Sequence, residues 1–143
     1  MIDVNLAREL ITHNFPQVAM QSVRPITRGW DSFVLEVNDE LIFRFPMRDD
    51  VIPYIEKEMG LLPILEPTLS TPIPHFDYIG HGNASYPYMF VGYRKLNGTA
   101  LEESIAPDQL AALAPALATF LNELHSFPVA LAIKAGVEAH TPE

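Results

Sequence analysis

The sequence predicts an α+β fold, a five-stranded antiparallel sheet with one helix inserted after the third strand. Two patterns carry this. Short apolar runs end in turn residues, as a meander of strands requires. Between the third and fourth runs the apolar spacing changes to a helical period. The resulting order is helix, three strands, helix, two strands, and a helix after a turn.

The first helix is predicted from Asp3 to about His13, with Asp3 as N-cap and Leu6, Leu10 and Ile11 on one face. The first strand runs from about Ala19 to Thr27 and ends at the turn Gly29-Trp30-Asp31-Ser32. The second, Phe33 to Val37, turns at Asn38-Asp39, residues that tolerate the left-handed backbone of a tight hairpin. The third, Leu41 to Phe45, is stopped by Pro46, which cannot donate to a ladder. A helix over Val51 to Leu65 repeats Ile55, Met59 and Leu62, with Pro63 or Pro67 ending or kinking it. Two strands near His75–Ile79 and Tyr88–Arg94 are separated by Gly80, Gly82 and Pro87. Past the turn at Asn97-Gly98, a long helix starts with Pro107 in its first position and reaches about Phe127. Its stripe is Leu110, Leu113, Leu117, Phe120, Leu121 and Leu124. After Pro128 the pattern is weak.

At 143 residues, 48% hydrophobic and 19% charged, the chain is globular in composition and long enough for a core. It has no cysteine, which excludes disulfides and thiolate metal sites. No run approaches the roughly 18 apolar residues that cross a bilayer. The first residues do not read as a signal peptide, so a cytoplasmic location and no membrane partner are expected. A net charge of -9 argues against nucleic acid as a partner. It suits a cationic substrate, although solubility alone also accounts for it.

Three features could carry chemistry. Arg44 shares a strand face with Ile42 while Phe43 and Phe45 point the other way, so a lone cation there needs a partner or solvent. It could also snorkel off the sheet surface. Glu58 borders the apolar stripe of the following helix and either meets a cation or forms a boundary pair with Lys57. A strand cation with a helix carboxylate is the pairing that kinases use to hold ATP phosphates. In the turn from Arg28 to Ser32, glycine allows backbone amides to approach a ligand, though a plain hairpin turn has the same residues.

The run GWDSFVLEV, LIFRFPMRD, IEKEMGLLPIL, PIPHFDYIG, YPYMFVGYRKLNGTAL and FLNELHSFPV resembles the N-terminal part of the aminoglycoside phosphotransferase family. It is most like the branch of 2''-phosphotransferases, and the likeness extends from Arg28 to Phe127. The resemblance implies a protein-kinase-like N-terminal lobe over residues 1–96, then a linker and the start of a helical C-terminal lobe over 97–143. It implies a phosphate-covering loop from Gly29 through Ser32 to Phe33, a phosphate-contacting Arg44 where many members have lysine, and an orienting Glu58. Tyr93 would back the adenine pocket, the backbone of Arg94 to Leu96 would bind the base, and Ile26, Val34 and Ile42 would line the purine. The implied cofactor of the parent protein is ATP or GTP with Mg²⁺, and its other partner a small-molecule hydroxyl substrate.

Kinases of this kind also need a His-Gly-Asp catalytic loop and later metal-binding Asn and Asp residues. His81-Gly82-Asn83 does not supply the Asp and lies in a strand–strand turn. No catalytic residue or metal ligand is therefore assigned, and this stretch alone is expected to be inactive and to hold nucleotide feebly or not at all. The helix over 107–127, which in the family packs against further helices, is expected to pair with its own copy in a homo-oligomer. The alternative is a kinase-like module that binds a nucleotide or a protein without catalysis.

Overall fold

A computed structural model describes residues 1–26, 29–101 and 105–138. Helix α1 (Val4–Asn14) is followed by β1 (Val23–Ile26), β2 (Ser32–Val37) and β3 (Leu41–Pro46), then α2 (Ile52–Leu65), β4 (Phe76–Gly80) and β5 (Phe90–Arg94), and α3 (Pro107–His125) and α4 (Val129–Lys134). The five strands form one antiparallel sheet in the order β1-β2-β3-β5-β4. The expected fold class is therefore present.

Local chemistry accounts for the element ends. Asp3 Oδ1 accepts a hydrogen bond from the Leu6 backbone N–H at 2.9 Å, capping α1. Asn38 and Asp39 have φ of 56° and 55°, the paired left-handed conformation of a tight turn closed by the Glu40 amide donating to the Val37 carbonyl at 3.1 Å. Asn38 also shortens the first strand. Its side chain accepts from the Gln21 and Ser22 amides and donates to the Ala19 carbonyl, so residues 19–22 are tied to the hairpin tip and β1 begins only at Val23. The expected strand end at Thr27, and Arg28 of the following turn, lie outside the described residues. Pro63 does not end α2, which runs on to Leu65, because a proline removes one donor from a ladder that the other turns maintain. The six-residue α4 after Pro128 is too short to produce a readable period.

The chain forms two compact units, Met1–Met59 with Pro74–Lys95 and Gly60–Ile73 with Leu96–Glu143. In the first, α1 buries Ala7, Leu10 and Ile11 against Leu35, Val37, Phe43, Phe45 and Phe90 on one sheet face. Each of these side chains larger than alanine contributes about 1.5–3 kcal/mol on burial. Gly92 permits a close approach: a Cβ there would fall 2.4 Å from the Phe43 ring. In the second unit, Glu123 of α3 accepts from the backbone and hydroxyl of Ser70 at 2.8 and 3.0 Å. The apolar stripe of α3 is open: Leu110, Leu113, Leu117 and Leu121 are 39–58% exposed, and only Phe120 and Leu124 are half-buried.

Candidate nucleotide-binding site

Residues directly opposite one another in an antiparallel sheet share a face. Pairing therefore lines up Ile26, Val34, Arg44 and Val91 in one row across β1, β2, β3 and β5. The adjacent row on the same face holds Arg24, Glu36, Ile42, Tyr93 and, on β4, Phe76. Helix α2 covers part of this face, where Val51 and Ile55 pack against Val91, with Met59 and Phe76 partly buried beside them.

Glu58 follows Ile55 by three residues, so the packing that buries Ile55 brings Glu58 to the same side. It meets Arg44 there. Nη1 donates to Oε2 at 2.7 Å and Nη2 to Oε1 at 3.3 Å, a two-pronged ion pair. The side chains are 24% and 35% exposed. Burial opposes the Arg44 charge, but hydrogen bonding to Glu58 and its negative charge outweigh that and raise the guanidinium above its ordinary pKa. The Tyr93 hydroxyl interacts with the same guanidinium. Burial raises the Tyr93 pKa, and Arg44 partly offsets the rise.

The turn leading into β2 is braced by charge. The Met47 amide donates to the Asp31 carbonyl at 3.0 Å, and Arg48 Nη2 donates to Asp31 Oδ1 at 2.7 Å. Ser32 opens β2, and Gly29 is exposed, with room for a Cβ only 3.1 Å from the Ser32 carbonyl oxygen. Phe33 contributes backbone alone to the Arg44 side, because its ring packs 6.3 Å from Phe45 on the α1 face. Arg94 pairs with Leu41 at the end of β5, and Leu96 belongs to the second unit and is 43% exposed. His81 to Asn83 form a structural turn, in which the Asn14 side chain grips the His81 backbone and Asn83 Oδ1 accepts from the Ser85 and Tyr86 amides.

Sequence reasoning overlooked Glu36, which is 2% exposed and bound by Arg24 and Lys95. The alternation that separates Ile42 and Arg44 from Phe43 and Phe45 also separates Glu36 from Leu35 and Val37, and would have found it.

Two surface hollows of about 340 and 460 Å³ occur elsewhere, one beside Asn122 and Glu123 and one beside Asn38 and Tyr78. Neither borders Arg44. Among the described residues no group of three His, Cys, Asp or Glu side chains could hold a metal ion. No described helix is long and apolar enough to cross a membrane.

This sheet, with a helix after its third strand and a strand-to-helix ion pair, has the protein-kinase-like fold of the N-terminal lobe of aminoglycoside kinases. The chain belongs to the phosphotransferase enzyme family, whose model matches residues 22–143. It is similar to wild-type aminoglycoside 2'-phosphotransferase-IIIa solved with GDP, at 35% identity and a TM-score of 0.89 over 97% of this chain and 47% of that one. The GDP and kanamycin complex of APH(2")-IIia matches at 36% identity and a TM-score of 0.85, over 94% of this chain and 46% of that one. The apoenzyme of a macrolide 2'-phosphotransferase from Brachybacterium faecium, 21% identical with a TM-score of 0.75 over 97% of this chain and 48% of its own, shares the fold. The chain thus spans less than half the length of each of these structures.

Proposed function

We propose that this chain is the nucleotide-binding part of an antibiotic-type small-molecule kinase that transfers the γ-phosphoryl group of ATP or GTP to a substrate hydroxyl. In this reading residues 1–96 bind the nucleotide and 97–143 begin the helical part. The carrying observation is the Arg44–Glu58 ion pair on the same sheet face as Ile26, Val34 and Ile42. A guanidinium has five N–H donors. Glu58 takes one from each terminal nitrogen, leaving the others to meet phosphate oxygens. The amides and hydroxyl of the Gly29–Ser32 turn provide uncharged donors for the same phosphates, and the three aliphatic side chains suit a purine face.

In the transfer, the acceptor hydroxyl oxygen bonds to the γ-phosphorus as the bond to the bridging oxygen breaks, and a nucleoside diphosphate leaves. The hydroxyl proton needs a base that these 143 residues do not supply, since their one His-Gly pair is followed by Asn83 in a structural turn. Mg²⁺ would offset the phosphate charge, and among the described residues no cluster of acidic side chains would hold it. The aminoglycoside relatives and the net charge of -9 support a cationic amino sugar as acceptor, and the kinase would then act as a cytoplasmic resistance determinant.

Calorimetric titration with ATP or GTP and Mg²⁺, paired with an assay for phosphorylated kanamycin, tests this reading. Weaker than micromolar binding and no product are expected from the chain alone. Measurable product would overturn the assignment of the base to residues outside it.

A further inference from the structure

The row that holds Ile42 and Tyr93 begins with a second charged cluster. Glu36 is buried in the sheet, where an unpaired carboxylate is very costly. Arg24 on β1 donates from Nε and Nη2 to Oε1 at 3.0 and 2.6 Å. Lys95 Nζ stands 2.6 Å from Oε2, approaching off the hydrogen-bond direction, so that Oε2 has an ion-pair partner but no well-formed hydrogen bond.

The path of Lys95 gives this cluster its meaning. Lys95 follows β5 and Glu36 lies on β2, with β3 between them, so the lysine side chain crosses β3 to reach the carboxylate. Its backbone N–H donates to the Glu40 carbonyl at 2.8 Å, extending the hold of β3 on the chain beyond Arg94. A lysine at a strand end normally keeps its ammonium in water. This one is drawn inward, and the backbone at Arg94 and Lys95 is secured from both the main chain and the side chain.

We propose that Glu36 is a positioning residue for base recognition, holding through Lys95 the backbone that would hydrogen-bond the edge of the purine. Arg24 completes the neutralisation of Glu36 and ties β1, whose Ile26 faces the same site, to the same anchor. This inference rests on the nucleotide-lobe reading and deepens it, because it predicts separate control of base and phosphate binding.

The test titrates GDP and inorganic tripolyphosphate separately into the isotopically labelled chain, following amide shifts, for the parent and for Glu36→Gln, Lys95→Met and Lys95→Arg. GDP affinity should fall about tenfold in Glu36→Gln and Lys95→Met, the effect of one misplaced hydrogen-bonding edge. Tripolyphosphate affinity should stay within about twofold, as expected for a distant, independent site. Amide hydrogen exchange at residues 94–95 should quicken in both variants relative to residues 42–45, and Lys95→Arg should restore both readouts. Unchanged GDP binding in the two variants, or equal losses for both ligands, overturns the positioning role while leaving the nucleotide reading intact. A parent chain that binds GDP no better than tripolyphosphate at millimolar ligand overturns both.

Discussion

Arg44 is the residue on which the proposed chemistry turns, and its neighbours set what it can do. Burial alone would disfavour its charge, and the fork to Glu58 restores it. Arg44→Met should therefore weaken GDP and tripolyphosphate alike, by about tenfold or more, because a charge-assisted phosphate contact is lost. Arg44→Lys should retain part of the affinity, since a point charge replaces the fork. Glu58→Gln leaves a half-buried cation without its counter-charge and should cost about 1–2 kcal/mol in chemical denaturation, between the values for exposed and buried pairs. Glu36 adds a pH signature. The Lys95 and Arg24 contacts hold its carboxyl at about 2, below the ordinary 4.5. A depressed folded-state pKa stabilises the fold above the unfolded value, and the benefit is lost as pH falls. Urea midpoints should accordingly be level above pH 4.5 and drop from there toward pH 2, a slope that Glu36→Gln should flatten.

Among the elements, β5 carries a tight steric demand at Gly92. Gly92 sits between Val91, which faces α2, and Tyr93, while the Phe43 ring occupies the space its side chain would need. That ring is fully buried and packs at tilted angles among Phe15, Tyr78 and Phe90, which restricts its movement. Gly92→Ala should destabilise the chain by about 1–3 kcal/mol through overpacking. A thermal melt would show it, and an unchanged midpoint would mean that the aromatic cluster yields more than packing at this density allows.

At the scale of the whole molecule, the leucine stripe of α3 lies open. Four leucines at helical spacing on one exposed face form the kind of apolar patch that marks an interface in a soluble chain. We propose that, in this chain as it stands, a second copy covers it by symmetric pairing of α3. Sedimentation at micromolar concentration should show a dimer that Leu117→Glu converts to monomer. A parent that sediments as a monomer would refute the pairing.

The sheet, its order of elements and the facing of Ile42 and Arg44 were legible in the amino-acid sequence because they depend on short-range rules: strand alternation, the Asn38-Asp39 turn, the Asp3 cap and a clean helical period in α3. The Arg44–Glu58 pairing was legible for a related reason, since one residue sits on a strand face and the other beside the stripe of the next helix. The start of β1 at Val23 was not, because Asn38 competes for residues 19–22 from 16 to 19 positions away. Nor was the Glu36 cluster, whose partners lie 12 residues before it on β1 and past the end of β5. Its assembly depends on β5 inserting next to β3, a pairing between distant segments that no local pattern encodes. Local preference dictated which residues form strands and helices, and long-range strand order decided which charges meet.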